Sequence, residues 1–206
     1  MSRQVRLLVA LAALCMASAY VLPLWRIGLI APQYPEGLGM KIRINTVTGV
    51  KEMDLQSING LNHYIGMKRI EPDEFPELRF MPMLLGLAIA GAVLAAATAS
   101  RRVLAGWALG YWALCGAGLV DFWRWEYRYG HDLDTVNAIM KIEGMTYQPP
   151  LIGTKQLLNF TATSWPDWGG IGLIVAAVLA GVSLWLAFRR PALGIGVSSL
   201  SAVGHD

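Results

Sequence analysis

The chain has 206 residues, 55% of them hydrophobic and only 15% charged, with a mean hydropathy of +0.45. Soluble domains carry roughly 25% charged residues, so this composition excludes an ordinary water-soluble globule, and its apolar content excludes a disordered chain. The net charge of +3 comes from arginines beside apolar runs rather than from a basic stripe, which argues against nucleic acid as a partner.

Arg3 and Arg6 precede a first uncharged apolar run, residues 7–24. A bilayer core needs about 20 apolar residues. Lipid offers the backbone no partner, so such a run is predicted to be helical. Ala17-Ser18-Ala19 has the small-residue form of a signal-cleavage site, but apolar residues continue to Trp25, and an uncleaved helix is expected. Residues 26–79 form a first polar loop. Within it, 40–45 alternates as a strand does, Thr48-Gly49 reads as a turn, 50–55 as a returning strand and 57–67 as a short helix; 71–76 is too rich in proline to continue that helix.

The second and third runs, 80–99 and 103–120, are joined through Arg101 and Arg102, and Gly106-x-x-x-Gly110 gives the third a small-residue face for packing. The second polar loop is 121–168. There 123–129 extends the third helix beyond lipid, Gly130 stops it, 146–153 reads as extended chain, and 155–161 as a short helix leading to the last span. The fourth run is 169–188, followed by Arg189, Arg190 and a small polar tail, 194–206, expected to be disordered.

Sidedness follows from arginine. The three short segments flanking the runs hold six basic residues and one acid, Asp206, whereas the two long loops hold 11 basic and 13 acidic residues. The positive-inside rule places both termini and the short 99–103 turn in the cytoplasm and the long loops outside, in a bacterium the periplasm. Trp25, Trp123, Trp125, Tyr127, Tyr129, Trp165 and Trp168 then form an interfacial belt on the outer side. The expected fold is an all-α four-helix transmembrane bundle with a small α+β extracytoplasmic cap formed by two loops. Its parts are a cytoplasmic N-terminus and first helix (1–25), a periplasmic loop (26–79), the second and third helices (80–120), a second periplasmic loop (121–168), the fourth helix (169–190) and a cytoplasmic tail (191–206).

Both cysteines, Cys15 and Cys115, fall inside apolar runs, so the cap has no disulfide and no thiolate metal site. Histidine and methionine are placed differently. His63 and His131 lie one in each loop, with His205 in the tail, and Met40, Met53, Met67, Met140 and Met145 are all in the loops. Imidazole and thioether suit copper, and thioether favours Cu(I). His63 and Met67, four apart, share one helix face, and a site between the loops would add His131 and Met145. No metalloprotease, phosphate-loop or nucleophile-elbow motif is present, and no carboxylate interrupts the apolar runs as an ion path would require. The chain is therefore not expected to be an enzyme.

Four phrases carry a resemblance: Ala31-Pro32-Gln33-Tyr34-Pro35-Glu36-Gly37-Leu38, then Ile58-Asn59-Gly60-Leu61-Asn62-His63-Tyr64-Ile65-Gly66-Met67, Tyr129-Gly130-His131-Asp132-Leu133-Asp134, and Gly144-Met145-Thr146-Tyr147-Gln148-Pro149-Pro150-Leu151-Ile152-Gly153. They resemble a family of small bacterial four-helix membrane proteins encoded beside genes for nitrous oxide reductase maturation, a copper-chaperone lipoprotein among them. The resemblance implies an accessory role in supplying or assembling a periplasmic copper enzyme, with that enzyme or a copper chaperone as partner. His63, Met67, His131 and Met145 sit within the matching phrases; that they ligate copper rests on their chemistry. The alternative is a structural or assembly subunit of a larger membrane complex, without metal, in a homo- or hetero-oligomer.

Overall fold

The computed structural model describes residues 1–134, 136–140 and 144–189. Arg190, His205 and the tail expected to be disordered lie outside the described residues. Four helices are long and apolar enough to cross a membrane: α1 (Arg3–Ala17, prolonged by a 3-10 turn to Tyr20), α3 (Pro76–Thr98), α4 (Arg101–His131) and α5 (Trp168–Phe188). The remaining helix, α2 (Asp54–Ile65), and five strands form the cap.

The four long helices close a ring in which α1 packs on α3 and α5, and α4 packs on the same two. Val5, Val9, Ala12 and Met16 recur at helical spacing and are all buried, giving α1 one inward face. It meets a file of small residues on α5, Ala176, Ala180, Ser183 and Ala187. Small side chains let helix backbones approach where dispersion rather than water exclusion drives association. The expected Gly106-x-x-x-Gly110 face meets no described residue, since none lies within 4 Å of a Cβ at either position. Aromatic polar ends are spent on neighbouring backbones: Trp107 Nε1 donates to Ala88 O at 2.9 Å and the Tyr111 hydroxyl to Leu173 O at 2.9 Å.

The basic segments meet at the end of the bundle away from the cap. The Met1 amino group donates to Ala99 O at 3.3 Å, Arg6 Nε to Ala96 O at 2.8 Å, and the Arg101 guanidinium lies 6.0 Å from the Phe188 ring centre. At the other end, α4 outruns its partners. Its 31 residues span roughly 46 Å at about 1.5 Å each, against about 30 Å of hydrocarbon. The last three turns, with Phe122, Trp125 and Tyr129, pack in the cap core with Ile27, Leu38 and Met40.

The cap is one antiparallel sheet built from both loops, in the order β3-β2-β1-β5-β4. Its strands are β1 (Trp25–Ala31), β2 (Tyr34–Ile42), β3 (Val47–Gly49), β4 (Gly153–Leu157) and β5 (Phe160–Pro166). The central pairing, β1 with β5, runs Trp25↔Pro166 through Ile30↔Thr161. β1 follows α1 and β5 precedes α5, so sheet and bundle are joined where two strands become two neighbouring helices. Gly169 and Gly170 permit the junction: a Cβ on Gly169 would lie 2.6 Å from Leu22 O, and one on Gly170 would overlap Leu24 O.

Several local expectations are corrected. Residues 155–161 form the β4–β5 hairpin rather than a helix, because Phe160, Ala162 and Ser164 alternate inward and β5 pairs with β1 from Thr161 onward. Its turn holds Leu158 at φ 57°. Thr48-Gly49 lies in β3, and the turn precedes it, closed by Arg43 N–H donating to Thr46 O at 2.8 Å. No strand runs through 50–55, because Asp54 Oδ2 takes the Gly39 and Lys51 N–H groups at 3.0 and 3.1 Å and starts α2 there. Gly130 does not stop α4, which ends one residue later. It marks a close crossing, where a Cβ would overlap the Gln148 backbone and Tyr147 N–H donates to Gly130 O at 2.9 Å.

Candidate functional site

The C-terminal end of α2 is where the two loops meet. Gly66 takes the left-handed conformation, φ 80°, that ends the helix. Its carbonyl accepts from Asp134 N–H at 2.8 Å, and Tyr64 O accepts from Met140 N–H at 3.0 Å. The chain then turns back along α2, held by Asn59, whose Nδ2 donates to Ile70 O at 3.2 Å and whose Oδ1 accepts Ile70 N–H at 2.7 Å. Much of the 58–67 phrase is thus structural: its asparagines bond the backbone of Lys68 and Ile70.

His63 and Met67 line one open pocket of about 320 Å³ here, with Lys68, Asp132, Asp134 and Asn137. Lys68 pairs with Asp132. Asp134 Oδ1 holds the Val136 and Asn137 N–H groups, each at 3.0 Å. His131 is not among the lining residues. Its ring stacks on Tyr127, centres 3.9 Å apart, and its Nδ1 lies 2.9 Å from Tyr127 O. Met145 packs instead beside an apolar cluster of Ala31, Ile65, Tyr147 and Phe160, together with Met140 and Met67. The structure therefore brings two of the four predicted ligands, His63 and Met67, to one pocket. Among the described residues no three His, Cys, Asp or Glu side chains gather to hold a metal. The methionines of the loops are largely material of the cap core, a use suited to their flexible, polarizable side chains.

A second space lies in the cap, a partly open cavity of about 80 Å³ walled by the sheet, α2, the cap end of α4 and the segment around Tyr147. Most of its walls are aliphatic or aromatic, including Ile27, Ile58, Trp125, Tyr129 and Phe160. Glu126 breaks that pattern. It is 0% exposed, and neither carboxylate oxygen has a hydrogen-bond partner among the described residues. Tyr147 also lines the cavity, and its hydroxyl is buried without a partner among the same residues. Burial alone pushes the Glu126 carboxyl up to about 8, because an apolar surrounding disfavours the charged form. Burial raises the Tyr147 phenol for the same reason. An orphaned buried polar group costs about 1–3 kcal/mol, so Glu126 and Tyr147 bring a carboxyl and a phenol with unmet hydrogen bonds to the residues that line one cavity.

Sequence reasoning passed over Glu126 by following histidine and sulfur. The signal was present: Phe122, Trp125 and Tyr129, at helical spacings, define an apolar face, and Glu126 lies on it, four residues after Phe122 and three before Tyr129. An acid on such a face is costly unless it has a task. No family model matches this chain, and no curated protein matches it.

Proposed function

We propose that this protein is a membrane-anchored binding factor whose cap accommodates a small ligand in its cavity. The four long helices cross the bilayer, the arginine-bearing end faces the cytoplasm, and the cap lies outside, in a bacterium the periplasm. It acts by binding rather than by catalysis. The observation that carries this reading is Glu126, fully buried, without a partner among the described residues and lining a cavity. Interiors rarely leave such groups unsatisfied, and a concave apolar space with a few convergent polar groups is the usual form of a small-molecule site. The test is thermal unfolding of the purified protein in detergent with small alcohols, amides, amines and acids, alongside Ala162→Leu, which places bulk in the cavity wall. At least one chemical class is expected to raise the melting temperature of the wild type and not that of the variant. A panel that shifts neither protein contradicts the reading.

A second reading, accessory copper handling for a periplasmic copper enzyme or chaperone, is favoured by one observation: His63 and Met67 line the same open pocket. Uptake there would use a thioether and an imidazole, a labile set suited to transfer. Cu(I) titration against a competing chelator is expected to show His63→Ala and Met67→Leu each weakening uptake about tenfold or more, as outer-shell or ligand losses do, with His131→Ala unchanged. Equal uptake in all four proteins removes this reading.

A further inference from the structure

We propose that the cap cavity is a site for a small organic ammonium ion, with Glu126 as its counter-charge and the surrounding rings as its walls. This rests on the reading of the cavity as a ligand site and names the ligand's chemistry.

Size sets the first limit. A cavity of about 150 Å³ takes benzene. The space here is about 80 Å³, which leaves room for about three or four heavy atoms on the same scale. Charge sets the second. Among the described lining residues Glu126 is the only carboxylate, and none is a lysine, arginine or histidine that would neutralise it. The other ionisable groups there are the phenols of Tyr129 and Tyr147; the lining residues from α2 and the sheet bring none. A carboxylate in such a place is stable only with a cation beside it. The walls set the third. Trp125, Tyr129, Tyr147 and Phe160 line the same space, and aromatic rings attract a cation most strongly when it is stripped of water. An alkylammonium ion meets all three demands: its N–H groups satisfy the carboxylate oxygens, its methyl groups meet the aliphatic walls, and its charge lies among rings.

A way in is also present, since the cavity is partly open. Met67 lines both this cavity and the open pocket beside His63 and Lys68, and its side chain is a flexible one.

Proton balance follows. Burial holds the Glu126 carboxyl protonated at neutral pH, so the incoming ammonium displaces one proton, which leaves to solvent as the ion pair forms. Alkylamines stay protonated near neutrality, as lysine does. Affinity is therefore expected to rise about tenfold per pH unit below the titration of Glu126 and to level off above it.

The experiment is calorimetric titration of the full-length protein in detergent with isopropylammonium chloride and with isopropanol, a neutral molecule of similar size, across pH 6 to 9. Wild type, Glu126→Gln and Ala162→Leu are compared. The expected result is that the wild type binds the ammonium, with the stated pH dependence, and that each variant binds it about thirtyfold more weakly or worse, the loss typical of removing one member of a buried charge pair or of filling its site. If isopropanol binds the wild type as tightly as the ammonium does, or binds while the ammonium does not, the cavity is a ligand site but the cation assignment is overturned. If Glu126→Gln binds the ammonium as the wild type does, the assignment is likewise overturned. If neither probe binds, the cavity holds only water, and both the assignment and the binding-factor reading fall.

Discussion

Replacing Gly170 by alanine is expected to cost about 3 kcal/mol or more of stability, at the upper end of what overpacking does. The added Cβ would overlap Leu24 O and lie 3.3 Å from Pro166 Cβ. Neither neighbour is free to retreat. Leu24 N–H donates to Ile42 O at 2.8 Å, and Leu24 O accepts Asp167 N–H at 3.0 Å, so this residue is pinned between the end of β2 and the N-cap of α5. Pro166 is the last residue of β5, paired with Trp25. Relief would require α5 to move off α1, and with it the joint between bundle and cap. Gly106→Ala is the control. No described residue lies within 4 Å of its Cβ, and alanine in a helix interior gains up to about 1 kcal/mol over glycine. Unfolding followed by helicity in detergent separates the two. Equal stabilities would mean that α5 does not seat on the 22–24 segment as described.

The second large effect is a pH dependence of stability that belongs to Glu126. In the unfolded chain its carboxyl titrates near 4.3; in the folded cap, burial raises it to about 8. The favourable contribution of the protonated group is fully present below the unfolded value. Between the two values the unfolded chain releases a proton that the folded chain keeps, so stability falls as pH rises, by up to about 1.4 kcal/mol per unit. The loss is complete once pH passes the folded value. Glu126→Gln keeps the shape of the side chain without the titration. The stability difference between wild type and variant is therefore expected to change by on the order of 4 kcal/mol from pH 5 to pH 8, measured without added ligand. Parallel pH profiles would show that water reaches the carboxyl.

The helices were legible because lipid leaves one solution for an uncharged run of this length. The extension of α4 into the cap could also be read, since 123–129 mixes charge with aromatics in a pattern foreign to hydrocarbon. The sheet was harder. β1 begins at Trp25, immediately after a run that reads as helix, and β2 carries Pro35, Gly37 and Gly39, residues depleted in strands. Its pairing with β5, more than a hundred positions away, supplies what local propensity lacks. The segment 155–161 misled because Lys155, Gln156 and Leu157 are good helix formers, and only the partnership with β1 decides for strand.

The candidate site divided in the same way. His63 and Met67 line one pocket, though not from one helix face: α2 ends at Ile65, and Gly66 turns the chain so that Met67 lies past the helix end. His131 was expected to join them. Its own helix gives it Tyr127 as a stacking partner four residues earlier, and no rule of spacing says which of two such neighbours an imidazole will take. The cavity around Glu126 needs α2, α4 and both halves of the sheet. Each contributes one wall, and no single stretch of sequence contains the enclosure that makes the acid unusual.

The most direct test is to follow the Glu126 carboxyl itself, by carbon NMR of selectively labelled glutamate in the full-length protein, assigned by Glu126→Gln. The account predicts a midpoint near 8 without ligand and a downward move when isopropylammonium is added, because a bound cation favours the charged form. A midpoint in the ordinary carboxylate range, about 4, unmoved by the amine, would mean that Glu126 is open to water and would contradict the account.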